Sequence, residues 1–530
     1  MAIPGYKIPR IGFTSPVQLV YGGSVISDVQ LEVVPSLNGP PVFLGEDILT
    51  RLNLPINGLP FRQANALSNS DTVVDPVVPV VEAASPPTGS DEPTDEQVQT
   101  ARQAIQFELD ANDSISPLEP CSLEMAVVRL DTPEGKSTYK RQYPIAEKMK
   151  PAMQEAVDQW LEEGVISRVA EPTRFNTPIF PIPKKDPTGA KTLCRPCMDF
   201  RALNALIECD KYPLPLISDI FEALRGSRYF TALDLRSAYH RFPVLQEHQH
   251  KTAFTWNDIQ YQFLRAPFGL KTLPSQFQRV IHFVFQDCPF VRTFIDDAIV
   301  FSPDWESHVQ HVKMAIQCLN RAKLILNVDK CHFFKTSLIL LGFRIDAYGH
   351  SIDKERIRKV TDWPVPTKGK QVQAFLGFVN YFREHLPLVS KLTAPLDSMR
   401  NEKIIDKYMW TPECQDAFDR LKEVLFHGQT LAYPDFGTPF CVATDASNTG
   451  IGAVLYQEYP NSNERRYISF QARSLTKSER NYSATKRELL AIVFALRKFH
   501  RYLWGSRFNL FTDHRALTYL HTQKDLSQCL

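Results

Sequence analysis

The sequence predicts an α+β protein of several domains. Three observations carry that expectation. The 530 residues make three or four units at about 150 residues each. Hydrophobic residues (43%) and charged residues (22%) stand in the balance of a chain that builds ordinary cores. Helical periodicity and short strand-like runs both recur, and neither dominates. A collagen-like fibre, a small disulfide scaffold and wholesale disorder are excluded. Apolar runs such as Val280–Phe285, with His282 inside, fall far short of the ~20 residues that span a bilayer, so no membrane is expected as a partner.

The elements follow in order. Residues 1–60 read as short strands, among them Val29–Val34, flanked by Gly and Pro turns. Between Ala64 and Thr100 there is no Lys or Arg and there are seven acids. Such a stretch buries too little to offset its ordering entropy. Residues 61–120 are therefore expected to form a disordered acidic linker, with a short helix near 95–109. A globular body starts near Cys121. Ile145, Met149, Met153, Val157, Trp160 and Leu161 recur at helical spacing, and Gly164 ends that helix. From 165 to 200 short strands are broken by prolines. Further helices fit 305–323, 370–383 and 483–503, the last with a stripe of Leu489, Ile492, Val493, Leu496 and Phe499. Strand-rich stretches, 438–470 and 507–513, flank that last helix.

Charge is uneven. Residues 1–120 hold 5 Lys/Arg against 15 Asp/Glu, whereas the whole chain has a net charge of +1. The basic body, not the acidic front, is the part suited to a polyanion. The ten cysteines are scattered, with one CxxC at Cys194 and Cys197 and no second pair at zinc spacing. The start, Met1 to Lys7, lacks the blocks of a signal peptide, so reduced thiols in an intracellular protein are expected.

Two acidic sites stand out. Asp234 lies inside the strand-like run Phe230–Leu235. Asp296 and Asp297 lie between the apolar runs Phe294-Ile295 and Ala298–Phe301, which suits a hairpin tip. Adjacent carboxylates repel, and Mg2+, which prefers carboxylate oxygens, removes that cost. Two metals about 4 Å apart can activate a 3′-hydroxyl and stabilise a pyrophosphate leaving group. Taken alone, the doublet also reads as a solvated turn.

It is not alone. Arg195–Asn204 with Lys211–Pro215, Leu233–Leu235 with Ser237–Tyr239, and Pro267–Lys271 with Pro274, Phe277 and Gln278 precede Phe294–Asp297. Leu326-Asn327, Lys330-Cys331, Phe333-Phe334 and Leu341–Phe343 follow it. In this order, through most of 121–530, the sequence resembles the reverse transcriptases of gypsy-type LTR retrotransposons. The resemblance implies a right-hand polymerase, with fingers and palm over 121–345 and thumb or connection over 346–404. It implies that Asp234 and Asp296 hold two Mg2+, that Asp297 supports them, and that the Leu235 carbonyl adds a ligand. Tyr239 stands at the steric gate against a ribose 2′-hydroxyl. Lys184 or Lys185 and Arg195 would clamp the triphosphate, Phe268 and Gln278 would line the nucleotide pocket and template contact, and Lys330 would donate a proton to pyrophosphate. Lys368, Lys370 and Arg383 would track the duplex backbone. The sequence departs from the family's pattern at Phe294, where Tyr is usual, at Ala238, where Gly is common, and at Pro196, which interrupts the fingers strand.

Downstream, Asp445, Glu488 and Asp513 are separated by 43 and 25 residues. They resemble three of the four carboxylates of a retroelement ribonuclease H, an α/β domain expected over 405–530 with two Mg2+ if complete. Singly each reads as a surface acid, and Glu488 follows Lys486 and Arg487 on a solvated helix turn. The chain reaches Leu530 before the family's fourth carboxylate, so a C-terminally truncated domain is expected. Val42–Leu49 resembles the C-terminal strand and helix of retropepsin-like proteases. No Asp-Thr-Gly or Asp-Ser-Gly occurs, so residues 1–60 are expected to be a small all-β remnant without protease activity.

The implied function is an RNA-directed DNA polymerase of an LTR retrotransposon. Its partners would be an RNA template, a DNA primer, dNTPs and an RNA–DNA hybrid. It would act in cytoplasmic virus-like particles, with nuclear passage open. The other reading is a catalytically decayed or domesticated nucleic-acid-binding protein. Sequence does not set the oligomeric state.

Overall fold

A computed structural model describes four strand segments between Gly12 and Val33, residues 92–184, 193–208, 210–387, 389–406, 408–459 and 464–514, and Leu517. The retropepsin-like segment Val42–Leu49 and Lys185 lie outside these described residues. Of the expected N-terminal strands, Val17–Tyr21 pairs antiparallel with Ser24–Val29, and Gly12–Phe13 with Glu32–Val33.

The chain divides into two compact units. One holds 81–363 and 428–433, the other 1–80, 364–427 and 434–530. The break at Trp363/Pro364 differs from the expected boundaries at 345/346 and 404/405. One reason is local: Leu431–Ala432 pairs with Gly349–Ile352 and so joins the first unit's sheet.

The acidic front is not a linker up to residue 120. Helix α1 (Asp95–Asp113) opens there with a capping box. The Thr94 side chain accepts from the Gln97 amide at 3.2 Å, and Gln97 Oε1 accepts from the Thr94 amide at 2.9 Å. Asp95 and Glu96 complement the positive end of the helix. Ala101, Ile105 and Leu109 are buried in the same core cluster as the rest of this unit.

Helix α2 (Lys150–Glu162) follows, burying Met153 and Val157. Strands β1 (Ile179–Lys184) and β2 (Leu193–Met198) then form an antiparallel ribbon in which Pro181 faces Pro196. The prolines do not break these strands. Pro181, Pro183 and Pro196 share one register parity, so they can occupy positions that donate nothing to the ladder. Just beyond, buried Asp199 receives Arg201 (2.7 and 2.9 Å), Tyr143 (2.5 Å) and Lys140 (3.1 Å). Hydrogen bonding to Arg201 above all holds its carboxyl well below the usual range.

The palm is a four-stranded antiparallel sheet. Strand β3 (Tyr229–Asp234) runs beside β5 (Asp297–Ser302), which pairs on its other side with β4 (Val291–Phe294). Strand β6 (His332–Lys335) closes the far edge. Helix α3 (Leu273–Val284) packs on β4, and helix α4 (Trp305–Arg321) packs on β5 and α1. Under α4 a polar chain crosses the core. His308, fully buried, bonds the Thr231 and Ser302 hydroxyls, each at 2.9 Å, and Ser302 also meets His311 at 2.8 Å.

The second unit carries helix α5 (Gly369–Tyr381) and a sheet of β7 (Phe440–Ala446), β8 (Gly450–Tyr459), β9 (Glu464–Ser474) and β10 (Phe508–Thr512). Its order is β9-β8-β7-β10, antiparallel except for the parallel β7–β10 pair. Helix α6 (Ala484–Lys498) packs on β7 and β8. Its buried stripe is Glu488, Ala491, Ile492 and Ala495, with Phe499 just past its end. The expected Val493 is exposed instead. Arg383, expected on the duplex, donates to Asn380 Oδ1 and the Ala472 carbonyl, whereas Lys368 and Lys370 stay on the surface.

Burial pushes His308 down to about 3. The unfolded imidazole binds a proton below its ordinary value of about 6.5, but the folded one does not, so its stabilisation is full above 6.5 and drains as pH falls toward 3. Between pH 7 and 5 this amounts to about 2 kcal/mol. Denaturant unfolding of wild type and His308→Gln at both pH values should show the acid loss smaller by that amount in the variant.

Candidate active sites

The palm acids meet at one end of the sheet. Asp234 ends β3 and sits in register with Asp297, the first residue of β5. Ile295 and Asp296 form the tip of the β4–β5 hairpin. Ile295 has φ +53, a left-handed backbone that a β-branched residue rarely adopts. Its amide donates to Gln278 Oε1 at 2.8 Å, while Gln278 Nε2 donates to the Thr293 hydroxyl at 3.0 Å and its carbonyl at 3.3 Å. Gln278 is 3% exposed. Both ends of its side-chain amide are engaged in bracing the hairpin, rather than turned outward as a template contact would be.

The electrostatics are those of crowded carboxylates. Burial first, then Asp297 and Asp234, push Asp296 up to about 6, and its Oδ1 is buried without a hydrogen-bond partner. Asp297, at the open side, is raised by desolvation and then by Asp234. Lys330 Nζ lies 3.8 Å from Asp234 Oδ1. Leu235 bridges Leu326 through bonds that use the Asp234 carbonyl and the Arg236 amide, so neither bond takes the Leu235 carbonyl.

Tyr239 and Phe268 stand beside this site. The Tyr239 ring is 5.0 Å from Phe268 and 5.5 Å from Phe277, both edge-on. Burial, then the Asp296 charge, push its hydroxyl up to about 12. Phe268 keeps 42% of its surface exposed. Arg195 is exposed on β2 opposite Ile182, and among the described residues it makes no ion pair with the palm acids. Lys184 ends β1.

In the second unit Thr444 of β7 pairs with Thr512 of the parallel β10. The next residue on each strand is Asp445 and Asp513, side by side at the sheet's end. Glu488 faces them from α6, 7% exposed, which overturns its reading as part of a solvated turn. One oxygen from each of the three lies within 4.8 Å of the others, the one such acidic group among the described residues. Burial, then Asp513 and Asp445, push Glu488 up to about 7, and its Oε2 is buried without a partner. An all-oxygen set with an orphaned acceptor fits a hard divalent cation. His514, whose position after Asp513 was the one signal for it in the sequence, meets the Thr485 hydroxyl through Nε2 at 3.1 Å and ties β10 to the first turn of α6.

The fold and these sites define a class: a right-hand polymerase palm in a chain that also carries a ribonuclease H-like sheet. Residues 182–345 match the family described as reverse transcriptase (RNA-dependent DNA polymerase), and 410–510 an RNase H-like domain found in reverse transcriptase. The chain is 31% identical over 515 residues to a retrovirus-related Pol polyprotein from transposon opus of Drosophila melanogaster, covering 93% of this chain and 50% of the relative. It is 35% identical over 405 residues to that from transposon gypsy of the same fly (73% and 38%). It is 33% identical over 383 residues to the Tf2-3 polyprotein of Schizosaccharomyces pombe (71% and 28%). The structure resembles a foamy viral protease-reverse transcriptase in complex with double-stranded DNA (TM-score 0.70, 20% identity, 98% of this chain and 89% of that one). It also resembles the same type of protein with an RNA/DNA hybrid (TM-score 0.66, 20% identity, 98% and 69%). The chain belongs to the reverse transcriptases of LTR-transposon Pol polyproteins, and it spans half or less of the length of the three transposon polyproteins named above.

Two outcomes follow from this geometry. Gln278→Leu strands the Ile295 amide and the Thr293 hydroxyl, each costing about 1–3 kcal/mol. Primer-extension kcat should fall about tenfold to a hundredfold while template affinity stays near wild type, the reverse of what a template contact gives. At pH 7, Mg2+ or Mn2+ titrated into weakly buffered protein should release about half a proton from Glu488, a group near pH 7. Glu488→Gln should abolish that share.

Proposed function

We propose that this chain is an RNA-directed DNA polymerase that extends a DNA primer on an RNA template, with a linked activity that cuts RNA in an RNA–DNA hybrid. The observation that carries the reading is the palm site itself: Asp234 in register with Asp297, beside a buried Asp296 oxygen that has no partner. A binding protein would gain nothing from crowding three carboxylates against their repulsion.

Asp234, Asp296 and Asp297, with the Leu235 carbonyl, would hold two Mg2+. Those ions supply a lowered pKa at the primer 3′-hydroxyl and neutralise charge on the leaving pyrophosphate. The protein does the rest. At neutral pH Asp296, near 6, is mostly ionised and ready to coordinate. Tyr239, fixed between Phe268 and Phe277, gives the sugar pocket a rigid wall where a 2′-hydroxyl would collide. Lys330, 3.8 Å from Asp234, would donate a proton to the leaving group. Arg195, with Lys184 or Lys185, would meet the triphosphate.

In the second unit Asp445, Glu488 and Asp513 would hold metal for water attack on an RNA phosphate. The hybrid and duplex bound by the foamy viral proteins support nucleic acid of both kinds as the partner.

The test is primer extension by the full chain on an RNA template with a DNA primer, dNTPs and Mg2+. Wild type should extend. Asp296→Asn with Asp297→Asn should lose at least about a hundredfold, several kcal/mol of transition-state stabilisation, and EDTA should stop the reaction. A soluble, cooperatively folded wild type that never extends would sink the polymerase reading in favour of a binding or decayed protein.

A further inference from the structure

Helix α1 lies outside both matched domain regions, which begin at 182 and 410. Yet its last turn reaches the back of the palm site. Asn112 is 1% exposed. Its Nδ2 donates to the Leu324 carbonyl at 2.9 Å and to Asn320 Oδ1 at 2.6 Å, and its Oδ1 accepts from the Leu326 amide at 2.7 Å. Bonding the backbone at 324 and 326 is what a neighbouring strand would do. Here one side chain does it, on the edge of a segment that no strand covers.

The other edge of that segment holds the catalytic strand's end. Arg236 donates its amide to the Ile325 carbonyl at 2.8 Å, Asn327 donates its amide to the Asp234 carbonyl at 2.9 Å, and Leu235 bridges Leu326. Asp234 and Leu235 lie at and just past the end of β3, where the neighbouring ladder partners stop. Segment 325–327 is thus clamped between Asn112 on one side and Asp234–Arg236 on the other. Helix α1 is itself fixed by its face against α4, where buried Glu108 accepts from Gln317 at 2.8 Å.

We propose that Asn112 is a positioning residue for polymerisation: it holds segment 324–327 so that Asp234 and the Leu235 carbonyl keep their place, and α1 is part of the catalytic unit. The proposal rests on the polymerase reading of the palm acids. Its physical content is separable, because the clamp is a property of the backbone whether or not the chain polymerises.

The experiment compares the full chain as wild type, Asn112→Leu and Phe107→Ser. Leucine keeps the branched shape of asparagine, though it is bulkier, and removes the side-chain bonds to the Leu324 carbonyl and Leu326 amide. Phe107 is on the same helix and 77% exposed, so its variant controls for changes to α1 alone. Amide hydrogen exchange is read at Leu326, Asn327 and Arg236, and primer extension gives kcat and dNTP KM. In Asn112→Leu the three amides should exchange at least about tenfold faster. Its kcat should fall about tenfold to a hundredfold with KM nearly unchanged, as expected when a reacting group is misplaced and substrate binding is left intact. Phe107→Ser should match wild type in both. Wild-type exchange at Arg236 and Asn327 in a folded Asn112→Leu would overturn the proposal, as would unchanged kcat in an active enzyme. If wild type does not polymerise, the polymerase reading fails by itself and the exchange arm still decides the clamp. Should Asn112→Leu not fold, Asn112→Ser, which keeps a hydroxyl at the site, is measured in the same way with the same two outcomes.

Discussion

Like-charge repulsion at the end of one sheet is the constraint that orders the polymerase unit. Asp234 and Asp297 face each other across a ladder, and Asp296 sits at the adjoining hairpin tip. Left to themselves, three carboxylates at this spacing would splay apart or take up protons. Asp296, pushed up first by burial and then by Asp297 and Asp234, is the carboxylate most prone to the second response. Holding them therefore requires a backbone that cannot relax, and much of the surrounding architecture supplies it.

Buried polar side chains add directional restraint to the apolar packing. Gln278 reaches from α3 to fix the left-handed Ile295 under the hairpin. Asn112 reaches from α1 to fix the segment behind Asp234. Cys331 receives the Asp234 amide at 3.3 Å, from the turn that also carries Lys330. The two side-chain amides are costly to bury and bonded at both ends, so neither can shift without stranding a partner. A hydrophobic contact tolerates sliding; a saturated amide does not. The acids are thus positioned by directional bonds from three different elements.

The sequence was most readable where chemistry restricts residue type. Carboxylates at 234, 296, 297, 445, 488 and 513 stand out because no other side chain supplies oxygen ligands with that charge. The fold class followed from motifs in order, and the short-strand and helix patterns agreed with it. Reading failed where burial decides a role. Gln278 lies in a run of pocket residues, and only its depth shows that it braces a hairpin. Glu488 follows two basic residues, yet it shares a face with Ala491, Ile492 and Ala495, which turns it inward. The short helix near 95–109 is legible, but its docking is not: averaged over 61–120 the acids read as linker, while the stripe Ala101, Ile105, Leu109 packs into the core. The prolines of the fingers ribbon looked like breaks because parity against a partner strand is not visible in one strand's sequence.

The two acidic sites solve the same problem in the same way. Each places two acids at strand ends and adds a carboxylate with one buried oxygen that no protein group satisfies: half-buried Asp296 in the palm, buried Glu488 in the ribonuclease H-like unit. An orphaned buried oxygen is unstable, and either a proton or a cation relieves it. Proton and metal therefore compete for the same atom. The balance differs between the sites, since Asp296 is held near 6 and Glu488 near 7. As pH falls from 8, protons claim Glu488 first, while Asp296 still presents a carboxylate. Cation binding at Glu488 then meets proton competition at a higher pH than cation binding at Asp296. The higher intrinsic value of a glutamate and the desolvation of each carboxylate together set that order.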